Sequence, residues 1–281
     1  MSVNTKVVDR VPTYPGRVKL TPVSGQTNTY DLVRADSPTQ EGTPINKALL
    51  DQKAYTLTSD VTVYVSTAGN DTTGNGTAAK PYRTIQKAID DIPKNLGGYW
   101  ATIDIANGTY AERIAINGFG NGRLFVGVAD RTVTVRGISV HNSRHVHLNI
   151  SNLTWPGGET LDLFYVGYGS NVSLGGPITV DGGQVTVSGI GVADGSILTG
   201  TAVAVTVKNM GGTAIMSTNA AQISFGNIYG ENNKGIGLRA YRGGIITYYT
   251  LQMASVEGVV TSVGGRVLTG SGTALANASI V

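Results

Sequence analysis

The chain has 281 residues, 39 of them glycine and none cysteine, with 14% charged residues and a formal net charge of +3. Scattered, slight positive charge with no Lys/Arg cluster gives nucleic-acid binding no support, and the absence of cysteine excludes a disulfide scaffold. The opening MSVNTKVVDR has no apolar core for a signal peptide and no apolar run reaches membrane length, so the sequence predicts neither a leader nor membrane insertion.

The first segment, residues 1–59, is punctuated by Pro and Gly. Residues 11–23, VPTYPGRVKLTPV, are extended, and residues 36–46, DSPTQEGTPIN, form a polar loop that ends in a helix start. Thr43 is the cap, Pro44 takes the first helical position, and Ala48, Leu49 and Leu50 supply a short apolar side. So small a piece cannot bury a core, which predicts an attachment arm held by partners or sister copies. The run PGRVKLTPVSGQTNTYDLVRADSPTQEGTPINKALL resembles the N-terminal segment of tail appendage proteins of bacteriophages and phage-derived particles. The resemblance implies docking onto a tail or baseplate, assembly in the bacterial cytoplasm and action on the virion at the host surface.

From Asp60 the pattern changes. Val61, Val63 and Val65 alternate with polar residues as a half-buried strand, and Gly69–Gly76 supplies turn chemistry. Ile85, Ala88, Ile89 and Ile92 recur at i, i+3, i+4 and i+7, which predicts a helix over 84–92 stopped by Pro93. After it come short β-rich runs closed by Gly or Asn: Val146–Ile150, Val172–Gly176, Ile197–Gly200, Ile223–Asn227, Ile245–Tyr248 and Val267–Gly270. They recur roughly every 20 to 26 residues, the length of a solenoid coil. Second strands lie between them, at Ile178–Val180 and Val203–Val207; Val203, Val205 and Val207 share one face and fill a bore.

The order of Gly/Asn/Asp loop, KPYRTIQKAI (80–89) and IDIANGTYAERI (103–114) resembles the entry segment of pectate-lyase-like proteins. That implies an all-β, right-handed parallel β-helix over residues 60–281, with the helix near 84–92 plugging its open end. The plug is physically required, because a β-helix end exposes unpaired backbone and the apolar bore. Arm and solenoid together imply a homotrimer, three identical arms matching a symmetric tail.

Fold alone does not give activity. The family's lyases carry an Arg-x-Pro-x-x-Arg run and a calcium-holding Asp cluster; Arg239 and Arg242 lack the proline and the spacing. The one adjacent carboxylate pair, Asp90 and Asp91, falls on the plug helix. An acid and base assembled across coils from Glu112, Asp130, Glu159, Asp162, Asp181, Asp194, Glu231 and Glu257 remains open. His145 and His147 share a strand face and are the weak metal candidates; the Gly69–Gly76 loop is oxygen-rich but has no full coordination spacing, and no cofactor is expected. For sugar stacking the sequence offers Trp155, Tyr165, Tyr168, Tyr241, Tyr248 and Tyr249. The resulting expectation is a structural tail fibre, tailspike or baseplate appendage contacting a bacterial surface glycan. A polysaccharide depolymerase, lyase or glycoside hydrolase, is the alternative, and a baseplate component without a ligand is the third reading.

Overall fold

The computed structural model describes residues 11–12, 18–25, 27–34, 38–40, 56–154, 162–183, 188–269 and 279–280. The chain divides into two compact units, Ser2–Tyr55 and Thr56–Val281.

In the first unit Val18–Pro22 and Tyr30–Arg34 form an antiparallel hairpin, and Val11–Pro12 pairs antiparallel with Pro38–Gln40. From Lys19 to Asp31 every described side chain is exposed except Val23, which is half-buried. Such a hairpin has no hydrophobic core of its own. The helix expected around Thr43–Leu50 lies outside the described residues.

The second unit is a parallel β-helix with three sheets. The first sheet is built from Val61–Val65, Trp100–Ile105, Arg123–Val126, Val146–Leu148 and Asn171–Leu174. It continues through the leading parts of Ile197–Lys208, Gln222–Tyr241 and Ile245–Ser262, and ends at Arg266–Thr269. The second takes the leading parts of Gly108–Asn117 and Val133–His141, then Asn152–Thr154, Ile178–Asp181 and later stretches of the long strands. The third takes the trailing parts of Gly108–Asn117 and Val133–His141, then Phe164–Gly167, Ile190–Val192 and Ile215–Ser217, and runs on to Ser279–Ile280.

Inward residues stack coil on coil. Ala101, Leu124, Val146, Val172, Leu198, Ile223, Ile246 and Val267 form one buried ladder, advancing by 23, 22, 26, 26, 25, 23 and 21 residues. Ile114, Ile138, Phe164, Ile190, Ile215 and Leu238 form a second one, fully buried. Val205 and Val207 face the bore as expected, while Val203 is only partly buried against it. Each buried Val, Leu or Ile contributes roughly 1.5–3 kcal/mol, so the rows are what the fold rests on.

The corners leading from the third sheet back to the first repeat one backbone solution. Tyr168–Gly169, Asp194–Gly195, Asn219–Ala220, Arg242–Gly243 and Val263–Gly264 all have two consecutive positive φ angles. The last four are closed by amide-to-carbonyl bonds of 3.0–3.1 Å from Ser196 to Ala193, Ala221 to Thr218, Gly244 to Tyr241 and Gly265 to Ser262. These are type I′ turns, which suit Asn, Asp and Gly. Under three successive corners a column of buried serines passes hydrogen bonds along the axis. The Ser143 hydroxyl accepts from Phe119 N–H, that of Ser170 from Ser143 N–H, and that of Ser196 from Ser170 N–H.

Helix α1, Ile85–Asp91, closes the N-terminal end with Thr84 as N-cap and Ile92 as C-cap; Ile85, Ala88 and Ile89 are buried. Two carboxylates seat it. Asp71 accepts from the amides of Arg83 and Thr84 at 2.8 and 3.0 Å, and Glu112, from the first coil, accepts from Ile85 and Gln86 at 2.8 and 2.9 Å. Gln86 in turn pairs its side-chain amide with both backbone groups of Ala115, accepting at 2.8 Å and donating at 3.1 Å. A helical side chain thus supplies the hydrogen bonds that a preceding strand would have given the first coil of the third sheet. Among the described residues no helix is long and apolar enough to cross a membrane.

Candidate functional site

The outward row of the first sheet is where unlike residues gather. Inward Ala101 and Ile103 alternate with Trp100 and Thr102, and inward Leu124 and Val126 alternate with Arg123 and Phe125. Register then places Trp100 beside Arg123, Thr102 beside Phe125, Phe125 beside His147 and His147 beside Ser173. Trp100 is 50% exposed. Its ring centroid lies 5.6 Å from that of Phe125, which lies 5.3 Å from that of His147, both pairs tilted. The Arg123 guanidinium carbon sits 5.6 Å from the centre of the Trp100 ring. The result is an aromatic strip one ring wide, climbing three coils on a solvent-facing sheet.

Beside this strip is a hollow of about 260 Å³ lined by Arg123, Phe125, His145, His147, Asn171 and Ser173, with Val146 at its base. His147 Nδ1 and the Ser173 hydroxyl are 2.8 Å apart, which fixes the ring. Its Nε2 lies over Gly175, where a Cβ would stand within 2.1 Å of it, so only glycine leaves room for the imidazole in this orientation. Burial holds the His147 pKa below the usual imidazole value. A wider hollow of about 510 Å³ lies farther along these strands, lined in part by Asp130, Arg131, Asn149, Ser151 and Gly175.

The aromatic residues singled out from sequence do not form one platform. Tyr165 and Tyr168 do meet, through His141, whose ring is edge-on to both at 5.4 and 5.2 Å. Tyr168 is 57% exposed and occupies a left-handed corner, φ 57°. Tyr241, farther along the third sheet, lies under Arg239 at 4.9 Å and Arg242 at 5.6 Å. Tyr249 is 67% exposed. Tyr248 corrects the expectation, since it follows Ile246 on the inward side, is 5% exposed and has no face for a ligand. Trp155 lies outside the described residues. Trp100 and Phe125 were the missed residues, although an aromatic at the polar positions of WATIDI and RLFV is itself the signal.

Around Tyr165 the third sheet is polar as well. Asp162 accepts the Ser188 amide at 3.1 Å, and Arg113 donates to the Asp162 backbone carbonyl at 2.6 Å. Burial raises the Asp162 pKa, against the pull of its hydrogen bonds to Ser188 and the Arg113 charge. Burial, then the nearby Asp194, pushes the Tyr165 hydroxyl up to about 12. Three of the other carboxylates have separate duties: Glu112 seats helix α1, Asp181 bonds Asn209 at 2.9 Å and faces Lys208 at 3.6 Å, and Asp194 accepts from Asn219 at 2.9 Å. Glu159 and the Glu257 side chain lie outside the described residues.

His145 and His147 line the same hollow, but no group of three or more His, Cys, Asp or Glu stands ready for a metal among the described residues. In the Gly69–Gly76 loop, Asn70 and Asn75 accept bonds from Thr72, Thr73 and Thr77, and Asp71 is spent on helix α1. The asparagine oxygens serve the turn itself. No protein-family model, no curated protein and no solved structure matches this chain.

Proposed function

We propose that the chain is a homotrimeric tail appendage of a phage or phage-derived particle, whose N-terminal unit docks on the tail and whose β-helix holds a bacterial surface glycan. The observation that carries the glycan reading is the exposed strip Trp100–Phe125–His147 with Arg123 laid on Trp100. Flat rings in water offer sugar C–H faces an apolar bed while polar groups at the edge take hydroxyls. The tail assignment draws on the resemblance of residues 15–50. In a screen of the purified chain against bacterial surface polysaccharides, the expected result is binding that Trp100→Ala abolishes and Tyr249→Ala leaves unchanged. Binding indifferent to Trp100, or none at all, removes the glycan reading and leaves a structural baseplate part. Light scattering tests the trimer, and a monomeric full-length chain overturns it.

A depolymerase is the second reading, favoured by Asp162, a half-buried carboxyl with a raised pKa beside Arg113 and close to Tyr165. A carboxyl whose pKa is raised by burial is the kind of group that general acid catalysis of glycoside cleavage draws on. New chain ends in the bound polysaccharide, lost in Asp162→Asn, are its expected signature; retention without cleavage excludes it.

A further inference from the structure

The hollow beside the aromatic strip has a distinct charge character. It contains one guanidinium, two imidazoles, one amide and one hydroxyl, and no carboxylate among its lining residues. The wider hollow is mixed, holding both Asp130 and Arg131, and Arg131 is already 3.6 Å from Asp104. From the hollow at Val146–His147 to the one at Asn149–Ser151 the lining thus passes from donors without a carboxylate to a mixture of charges.

We propose that the Arg123 hollow takes an anionic substituent, carboxylate or phosphate, of the glycan that lies on Trp100 and Phe125. The inference rests on the glycan reading above and adds the class of sugar. Arg123 is suited to it because its guanidinium carbon stands over the Trp100 ring at 5.6 Å, a cation–π approach that restricts its rotamers before the ligand arrives, and a planar fork matches both oxyanions bidentately. Asn171 and Ser173 supply neutral partners around the charge.

The test uses one backbone in three forms: dextran, carboxymethyl-dextran and dextran phosphate, measured by biolayer interferometry at physiological salt on the full chain. Wild type is expected to prefer a charged form over dextran by about tenfold, the scale of one charge-assisted bidentate contact, and the form that gains identifies the oxyanion. Arg123→Gln is read on the ratio of charged-polymer to dextran binding, which falls to parity whatever the variant does to dextran binding itself. Arg266→Gln, on the same outward side several coils away, retains the preference and so controls for bulk charge. Equal binding of all three polymers, a preference that survives Arg123→Gln, or no binding to any overturns the anion site. Binding to dextran that Trp100→Ala does not weaken overturns the glycan face instead.

Discussion

Leu124 and Phe125 are chain neighbours on one short strand, yet they answer to different constraints. Leu124 is fully buried in a ladder that runs unbroken through the first sheet; Phe125 faces out, between Trp100 and His147. Inward, every coil repeats the same kind of residue, because the bore tolerates only close-packed apolar volume. Outward, the row changes from Thr102 to Phe125, His147, Ser173, Thr199, Ser224 and Thr247, so solvent exposure leaves room for specialisation. The contrast predicts that Leu124→Ala costs about 2–5 kcal/mol in chemical denaturation, whereas Phe125→Ala costs about 1 kcal/mol or less and acts on binding. Comparable losses for the two would erase the distinction.

The plugged end sharpens the same comparison, since there a polar residue carries structure. Glu112→Ala leaves the amides of Ile85 and Gln86 without acceptors and should cost about 1–3 kcal/mol, read as faster hydrogen exchange across helix α1 and a lower Tm. Glu112→Gln keeps an acceptor oxygen and should fall between. No change in exchange with either variant would mean the helix is held by Ile85, Ala88 and Ile89 alone.

These parts were unequally legible in the sequence. The spacing of Ile85, Ala88 and Ile89, and Pro93, fix the helix locally, and the alternation in most runs separates inner from outer residues. The link from Glu112 and Gln86 across 26 to 29 positions is not local. Coil lengths that vary from step to step also hide which outward residues become neighbours, so Trp100, Phe125 and His147 come together only once the register is known. Tyr248 was misread because Ile245 and Ile246 are both apolar, leaving two phases for the alternation.

Acid should act through the histidines on either face. Burial lowers the pKa of His141 and of His147 in the fold, with Arg113 adding to the effect on His141. The unfolded chain therefore takes up protons first, near the ordinary value of about 6.5, and stability falls as the pH drops through that value toward the lowered folded ones. Above it the two states are equally neutral and no change is expected. Tm measured from neutral to mildly acid pH should decline, and His147→Gln should flatten the decline; a slope unaltered in that variant would assign it elsewhere. Glu112 and Asp162 work in the opposite sense, since burial raises their folded pKa values and protonation there favours the fold. The histidine slope should thus be followed by relief at lower pH, in the carboxylate range.

The smallest effect separates strain kept for structure from strain kept for a ligand. Val263 and Tyr168 occupy equivalent left-handed corner positions, φ 50° and 57°, where a side chain other than Asn, Asp or Gly is disfavoured by about 1 kcal/mol. Val263 is 76% exposed, so Val263→Asn should raise stability by about 0.5–1 kcal/mol with no effect on binding. Tyr168→Asn relieves the same backbone but removes the ring edge-on to His141. If that ring serves only packing, the two changes partly cancel and binding is untouched. If the third sheet meets a glycan, stability holds or rises while binding weakens, a split that a purely structural corner cannot produce.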